Sequence, residues 1–279
     1  MQKIALVIAD THLDKNLSIF AIEKSLAWNK IGQVYTLSDI NFYSNSKHIL
    51  LNSSSTIDRV DALKILLDNS QENTYLFINW DSFISSPEQW QDEFAQYDFI
   101  GTPMWIDENA YFLGGQNFCI LSRRLLSNLV TALEQMDQST HQKNWSNHNI
   151  YMHLNHFVNI GCNFANQSTS QLFSYESGPR MQQTFGVSGS ANFPLLLSEQ
   201  EILVNANEIG ARQTSPTTLL NFLRFCLETG KFQLFKTSVE GFINKPNLKK
   251  ALEYELSINP MSELPRVIQN FNSEDILNS

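Results

Sequence analysis

The chain has 279 residues, 42% hydrophobic and 17% charged, enough apolar material for one large domain with an appendage and too much for a disordered polymer. Its 28 acidic side chains outnumber 19 basic ones, for a formal net charge of -9. With no basic patch beyond the pairs Arg123–Arg124 and Lys249–Lys250, that charge argues against nucleic acid as a partner.

Lys3 to Ala9 is a short apolar, β-branched run that stops at the turn-favouring Asp10 and Thr11, so it reads as a buried strand. It is too short for a secretory h-region or a membrane span, and no later segment is long enough to span. Any association with the inner membrane is expected to be peripheral. From about Asp14 to Trp28, the residues Leu17, Phe20, Ala21, Lys24 and Trp28 mark a mainly apolar helical stripe, and Gly32 precedes a second strand over Gln33 to Leu37. Ser55 is a fitting cap for a helix from Thr56 to Leu67, and Tyr75 to Ile78 forms a third buried strand that runs into Asn79, Trp80 and Asp81. Strands alternating with helices imply a mostly parallel sheet, with ligands outside the carboxyl ends of the strands. Asp10 and Asp81 both stand at such ends.

A helix of about two turns is expected after Asp81, then a strand-like Phe99 to Gly101, a Pro-containing loop that carries Trp105, and the glycine pair Gly114–Gly115. The pair reads equally well as a turn or as a place where backbone approaches a sugar. A carboxylate at a buried strand end can hold a divalent cation against a diphosphate, because hard cations take oxygen ligands. Asp81 alone could also be a helix cap. The tryptophans Trp80, Trp90 and Trp145 read as core fillers, and Trp105 as the one placed to stack on a ring. The absence of a P-loop, a full G-x-G-x-x-G and a G-x-S-x-G elbow argues against a kinase, a nicotinamide dehydrogenase and an α/β-hydrolase.

His148, His153 and His156 have spacings that could share a helix face and so serve as a general base or a metal pair, although His153-x-x-His156 lacks a nearby carboxylate and packing or surface positions are the plainer reading. Cys119, Cys162 and Cys226 are odd in number and far apart, which fits neither a disulfide framework nor a zinc cluster and matches a reducing, cytoplasmic setting. Beyond about Leu197 the pattern turns helical. Ser198 with Glu201 makes a capping box, Ser215–Pro216 opens a helix that Gly230 ends, and further helices are expected from Phe232 to Ile243 and, after a Lys245–Pro246 stop, from Leu248 to Ile258. Residues 1–197 are therefore expected to form the α/β domain and 198–279 a helical C-terminal domain able to hold a protein partner.

The stretches NWD at Asn79 to Asp81, YDFIGTPMW at Tyr97 to Trp105 and GGQNFCILSRR at Gly114 to Arg124 resemble the motifs [Q/N]-x-D, Y-D-[Y/F]-I-G-x-P-W and G-N-G-G-[F/L]-S-L-R of a glycosyltransferase-like family catalogued as a domain of unknown function. The second match carries one inserted residue and the third is loose; the opening KIALVIADTH is also similar, so the resemblance covers about Lys3 to Phe193. It implies a GT-A-like fold, a Rossmann-type mixed sheet flanked by helices, here with a C-terminal all-helical appendage. It also implies transfer of a sugar from a nucleotide-sugar, a UDP-sugar first, to a glycan or other hydroxyl acceptor, as in surface-polysaccharide biosynthesis. On the same ground Asp81, with Asn79 as a weaker neighbour, would lie at a divalent metal (Mn or Mg). Asp10 and Thr11 would lie near the nucleoside, and Gly114, Gly115 and Asn117 near the transferred sugar or acceptor. The chain departs from the family at WSNHNIYMHL, where an acidic pair is absent and His148 is the nearest candidate base, with Glu176 the alternative. At TFGVSGS, Ser188 stands in place of a histidine. A catalytically silent nucleotide- or carbohydrate-binding protein is the alternative function.

Overall fold

The computed structural model describes residues 3–12, 14–51, 60–105, 112–135, 154–175, 184–189, 193–205, 208–209, 212, 220, 223–224, 226, 230 and 245–266. The chain divides into two compact units, Met1–Ser188 and Gly189–Ser279.

The first unit opens on β1 (Ile4–Ala9), α1 (Asn16–Leu26), β2 (Ile31–Ser38), β3 (Lys47–Leu50), α2 (Val60–Asn69) and β4 (Thr74–Ile78). The expected β-α-β start is present, with β3 as an added edge strand. The continuous apolar run of β1 is what a parallel strand covered on both faces requires. After β4 the expected two-turn helix does not form. Instead β5 (Ser82–Ile84) is followed by two 3-10 turns, Pro87–Gln89 and Asp92–Gln96. Strand pairing claims the backbone of β5, and Pro87 lacks the N–H that a continuing helix needs. β6 (Phe99–Trp105) runs past the expected Phe99 to Gly101, and β7 (Phe112–Ser122) is a strand that sequence reading did not mark; they are followed by α3 (Arg123–Gln135), α4 (Leu154–Asn159), α5 (Gln167–Phe173), β8 (Ser174–Tyr175) and β9 (Gly186–Ser188).

Six strands form one sheet in the order β3-β2-β1-β4-β7-β6. The first four run parallel, β7 is antiparallel to β4, and β6 is antiparallel to β7. Strand order thus reverses between β1 and β4, the topological switch point at which open α/β sheets bind ligands. This is the expected α/β class, a Rossmann-type mixed sheet flanked by helices.

Period-2 alternation divides the core. Ala5, Val7, Tyr35, Leu37, Tyr75, Phe77, Cys119 and Leu121 face a cluster with Ala62, Leu63 and Leu66 of α2 and Leu125, Leu126, Leu129 and Leu133 of α3. On the other face Phe118 meets Phe173 at 5.2 Å and Phe185 at 6.0 Å between ring centroids. Phe185 continues the cluster to Trp28 at 4.9 Å and Trp90 at 5.1 Å, and Trp28 meets Trp90 at 4.6 Å with the ring planes tilted by 46°. Trp90 packs against this cluster but stays half-buried, its indole N–H donating to Asp92, so it borders the core where the sequence implied a core filler. Each such pair contributes about 0.5–1.5 kcal/mol beyond its buried area.

Asp98, the acid of YDFIG, lies at the start of β6, the end of the sheet remote from the switch point. It accepts from Arg124, from the Ser122 hydroxyl and from the Asn163 N–H at 2.7 Å, tying β6 to α3 and to the segment after α4. Burial pushes its carboxyl up, but the hydrogen bonds from Arg124, Ser122 and Asn163 outweigh that and hold it below the ordinary value.

In the second unit the described helices include α6 (Phe193–Leu196), α7 (Glu199–Val204) and α8 (Lys245–Ile258). The Ser198–Glu201 capping box is present: the Ser198 N–H donates to Glu201 at 2.8 Å, and the Glu201 N–H donates to the Ser198 hydroxyl at 3.2 Å. Gly230 has φ +70°, the left-handed conformation of a helix-ending glycine. α8 begins at Lys245, with Pro246 in its first turn, so the expected stop lies inside the helix rather than before a Leu248 start; the helix expected over 232–243 lies outside the described residues. Cys119, Cys162 and Cys226 are buried free thiols.

Candidate functional site

β1 delivers Asp10 to the switch point. Its N–H continues the ladder to the Leu37 carbonyl at 3.0 Å, and its carboxylate is then used within the loop that leads to α1. Oδ1 accepts the His12 N–H at 2.9 Å and lies 3.0 Å from the ring Nδ1 of His12, while Oδ2 accepts the Ser18 hydroxyl at 2.5 Å. The Lys15 ammonium donates to the Asp10 carbonyl at 2.9 Å, to the His12 carbonyl, and to Asp39 at 3.1 Å. That hydrogen bond from Lys15 holds the Asp39 carboxyl below its ordinary value. Asp10 is thus a buried organiser of the strand end, with the half-buried Thr11 beside it.

β4 ends at Ile78, and Asn79 to Ser82 form a tight turn closed by the Ser82 N–H to the Asn79 carbonyl at 3.1 Å. The buried Ser82 hydroxyl accepts the Asn79 N–H at 2.5 Å and donates to the Asn117 carbonyl at 2.6 Å. Asn79, Trp80 and Asp81 are half-buried at the surface of this turn. β5 then pairs antiparallel with β9, setting Ser82 opposite Ser188. The segment TFGVSGS, more than a hundred residues away in sequence, is thereby brought beside Asp81.

β6 and β7 complete this end of the sheet. Gly114 and Gly115 lie within β7, opposite Pro103 and Thr102, rather than in a turn, and Trp105 lies in β6 opposite Phe112 rather than in a loop. Register slips between Gly101 and Thr102, so β7 carries Gln116, Asn117 and Phe118 as extra residues where Ser82 reaches across. Gly186 passes so close to Phe118 that a Cβ there would lie 2.0 Å from the ring, which fixes glycine at this point of β9.

The sheet therefore gathers Asp10, Thr11, Asn79, Asp81, Trp105, Gly114, Gly115 and Asn117 at one end. His148 and Glu176 lie outside the described residues, as do His153 and Trp145; His156 is exposed on α4. Sequence reading missed Ser82, Lys15, Asp39 and His12. The i+2 spacing from Asp10 to His12 and the serine directly after NWD were the available signals.

Among the described residues no group of three His, Cys, Asp or Glu side chains assembles that could hold a metal ion by itself. At this turn Asp81 and the amide Asn79 are the oxygen-bearing side chains that stand next to the end of β4. Nor is any described helix long and apolar enough to cross a membrane.

No protein-family model matches the chain, and no curated protein matches it. Among solved structures it is similar to the apo form of the glycosyltransferase GlyE of Streptococcus pneumoniae TIGR4, at 12% identity and TM-score 0.43, over 67% of this chain and 54% of that one. It is also similar to a glycosyltransferase involved in glycosylation of the major capsid of PBCV-1, at 6% identity and TM-score 0.44, over 67% of this chain and 92% of that one. A third similar structure is the galactosyltransferase LgtC in complex with donor and acceptor sugar analogs, at 12% identity and TM-score 0.43, over 67% and 88% of the two chains. The chain thus spans about half the length of the pneumococcal enzyme. Likenesses this distant carry no chemistry across, and the assignment of a site rests on the strand ends of this chain.

Proposed function

We propose that the chain is a glycosyltransferase that binds a nucleotide-sugar in the crevice between the ends of β1 and β4 and transfers the sugar to a hydroxyl acceptor. The observation that carries this reading is the convergence of three segments on Ser82 at the topological switch point: its hydroxyl accepts the Asn79 N–H and donates to the Asn117 carbonyl of β7, and its backbone pairs with β9 opposite Ser188. Such a turn holds Asp81 on rigid elements, as a binding group requires.

In this reading the backbone around Asp10 and Thr11 borders the nucleoside, with uridine favoured. Asp81 and Asn79 face the diphosphate, and Trp105, Gly114, Gly115 and Asn117 line the sugar or acceptor side. Asp81 would hold a divalent cation, Mn or Mg, whose charge offsets that developing on the departing diphosphate. His148 or Glu176 takes the acceptor's proton. The acceptor belongs to surface-polysaccharide assembly, the protein works in the cytoplasm, and the helical second unit holds a partner protein.

The test is a thermal-shift and calorimetric screen of nucleoside diphosphates and nucleotide-sugars, with and without manganese, followed by assay of nucleoside diphosphate release. A ligand at 100 times its Kd should stabilise the fold by about 2.7 kcal/mol. Absence of any nucleotide effect would overturn the reading, and binding without release would convert it to the silent binding protein.

A further inference from the structure

β1 and β2 are neighbouring parallel strands, so their carboxyl ends open on the same edge of the sheet, and Asp39 is the residue directly after β2. Its side chain is 32% exposed, whereas that of Lys15, which holds it, is 5% exposed. The Lys15 ammonium directs its three N–H donors to the Asp10 carbonyl at 2.9 Å, to the His12 carbonyl and to Asp39 Oδ1 at 3.1 Å, which fixes the acid beside the end of β1. The turn that carries Asp39 is itself built: the buried Ser38 hydroxyl donates to the Ile40 carbonyl, and the Leu51 N–H donates to the Ser38 carbonyl at 2.9 Å. The Lys15 hydrogen bond, its charge and the N–H groups of Asp39 and Ile40 keep the carboxyl below its ordinary value, so at neutral pH it is an ionised acceptor. Neutralising Lys15 accounts for Oδ1; the group as a whole still reaches solvent at the edge where strand ends take ligands.

We propose that Asp39 is a binding residue of this strand-end site whose carboxylate accepts the 2′- and 3′-hydroxyls of a ribonucleotide, with Lys15 as its positioning residue. This rests on the nucleotide reading above and deepens it, from a nucleotide in general to one that carries ribose. An ionised carboxylate only accepts, and towards a ligand that already bears a diphosphate it needs neutral donors; the vicinal hydroxyls of ribose supply two. Lys15 offsets the charge of Asp39 locally, so the acid adds little repulsion towards the phosphates. Ile40, the next residue, is 51% exposed and offers apolar surface to the face of a base, which leaves the sugar at the acid. An acid one strand over from the first strand end is also how other open parallel sheets hold a ribose hydroxyl.

The experiment uses the full chain and four probes, UDP, GDP and the 2′-deoxy form of each, with magnesium present and affinity measured by calorimetry. The expected result is that UDP or GDP binds about 10-fold or more tightly than its 2′-deoxy form, because the analogue forfeits a charge-assisted hydrogen bond. In Asp39→Ala that ratio should fall to within about 2-fold, and in Asp39→Asn, which keeps an oxygen for Lys15, it should fall by about 3-fold or more. Lys15→Met should lower it too, but since Lys15 also ties the loop after β1, the Asp39 variants decide. A merely structural acid would, when replaced, weaken the ribo and deoxy forms alike and leave the ratio as in wild type. That outcome in both Asp39 variants, or a wild type that does not distinguish the two forms, would overturn the proposal while leaving the nucleotide reading intact. If none of the four probes binds the wild type, the nucleotide reading fails and this inference fails with it.

Discussion

Replacing Gly186 by alanine probes how the second sheet sets the site. The new Cβ would lie 2.0, 2.2 and 2.7 Å from three atoms of the Phe118 ring, where real contacts stay beyond about 3 Å. Phe118 has no exposed surface and is held by Phe173 and Phe185, so the ring cannot swing aside and β9 must move instead. Overpacking of this kind costs about 2 kcal/mol, which for a unit of this size lowers Tm by about 4–8 °C. Because β9 pairs with β5 directly after Asp81, nucleotide affinity should fall along with Tm. Thermal melts of Gly186→Ala, Phe118→Leu and the double variant form a cycle in which the smaller side chain at 118 should recover about half or more of the loss. An equal loss in both backgrounds, or a melt within about 1 °C of wild type, would refute the reasoning.

Asp81→Asn should weaken nucleotide binding or turnover about 10-fold or more, while Asp61→Asn on the exposed side of α2 should not; calorimetry and product assay decide. Asp98→Ala should destabilise the fold by about 3 kcal/mol in chemical denaturation, since it strands Arg124 and the Asn163 N–H. The Asp98 carboxyl sits below its ordinary value, so its contribution is present above roughly pH 4 and fades as pH falls through the folded value; melts across this range in wild type and variant should converge at the acid end. His148→Ala should lose roughly 100-fold in turnover while keeping nucleotide affinity, and wild-type turnover should rise with pH through about 6.5; retained turnover would move the base to Glu176.

Much of the core sheet was legible because local pattern and tertiary position agree there. β1 and β4 are buried on both faces and read as apolar runs, and the Ser198–Glu201 box and Gly230 act through short-range hydrogen bonds or backbone conformation. Asp10 and Asp81 could be placed because strand ends are local features. What could not be read depends on distant partners. β5 and β9 have three residues each and acquire identity only by pairing with each other, so the stretch after Asp81 resembled a helix. The slip at Gly101 that moves Asn117 to the NWD turn, and the contact of Gly186 with Phe118, likewise leave no periodic trace. The motif YDFIG is legible as a strand start, yet its acid serves packing at the far end of the sheet.

Ser82 joins three stretches of chain that are made at different times during synthesis, the NWD turn and β7 through its hydroxyl and β9 through its backbone. The six-stranded sheet can close all its pairings once Ser122 has emerged, but β5 has no partner until residues 186–188 follow. Contacts of such long sequence separation form late, because loop closure precedes their reward. If the proposed function holds, competence to bind at Asp81 would thus be the last thing this unit acquires and the first it loses on partial unfolding. A chain cut short before residue 184 would keep the main sheet and lose the shape of its NWD turn, so spectroscopic evidence of a folded sheet would not certify an assembled site.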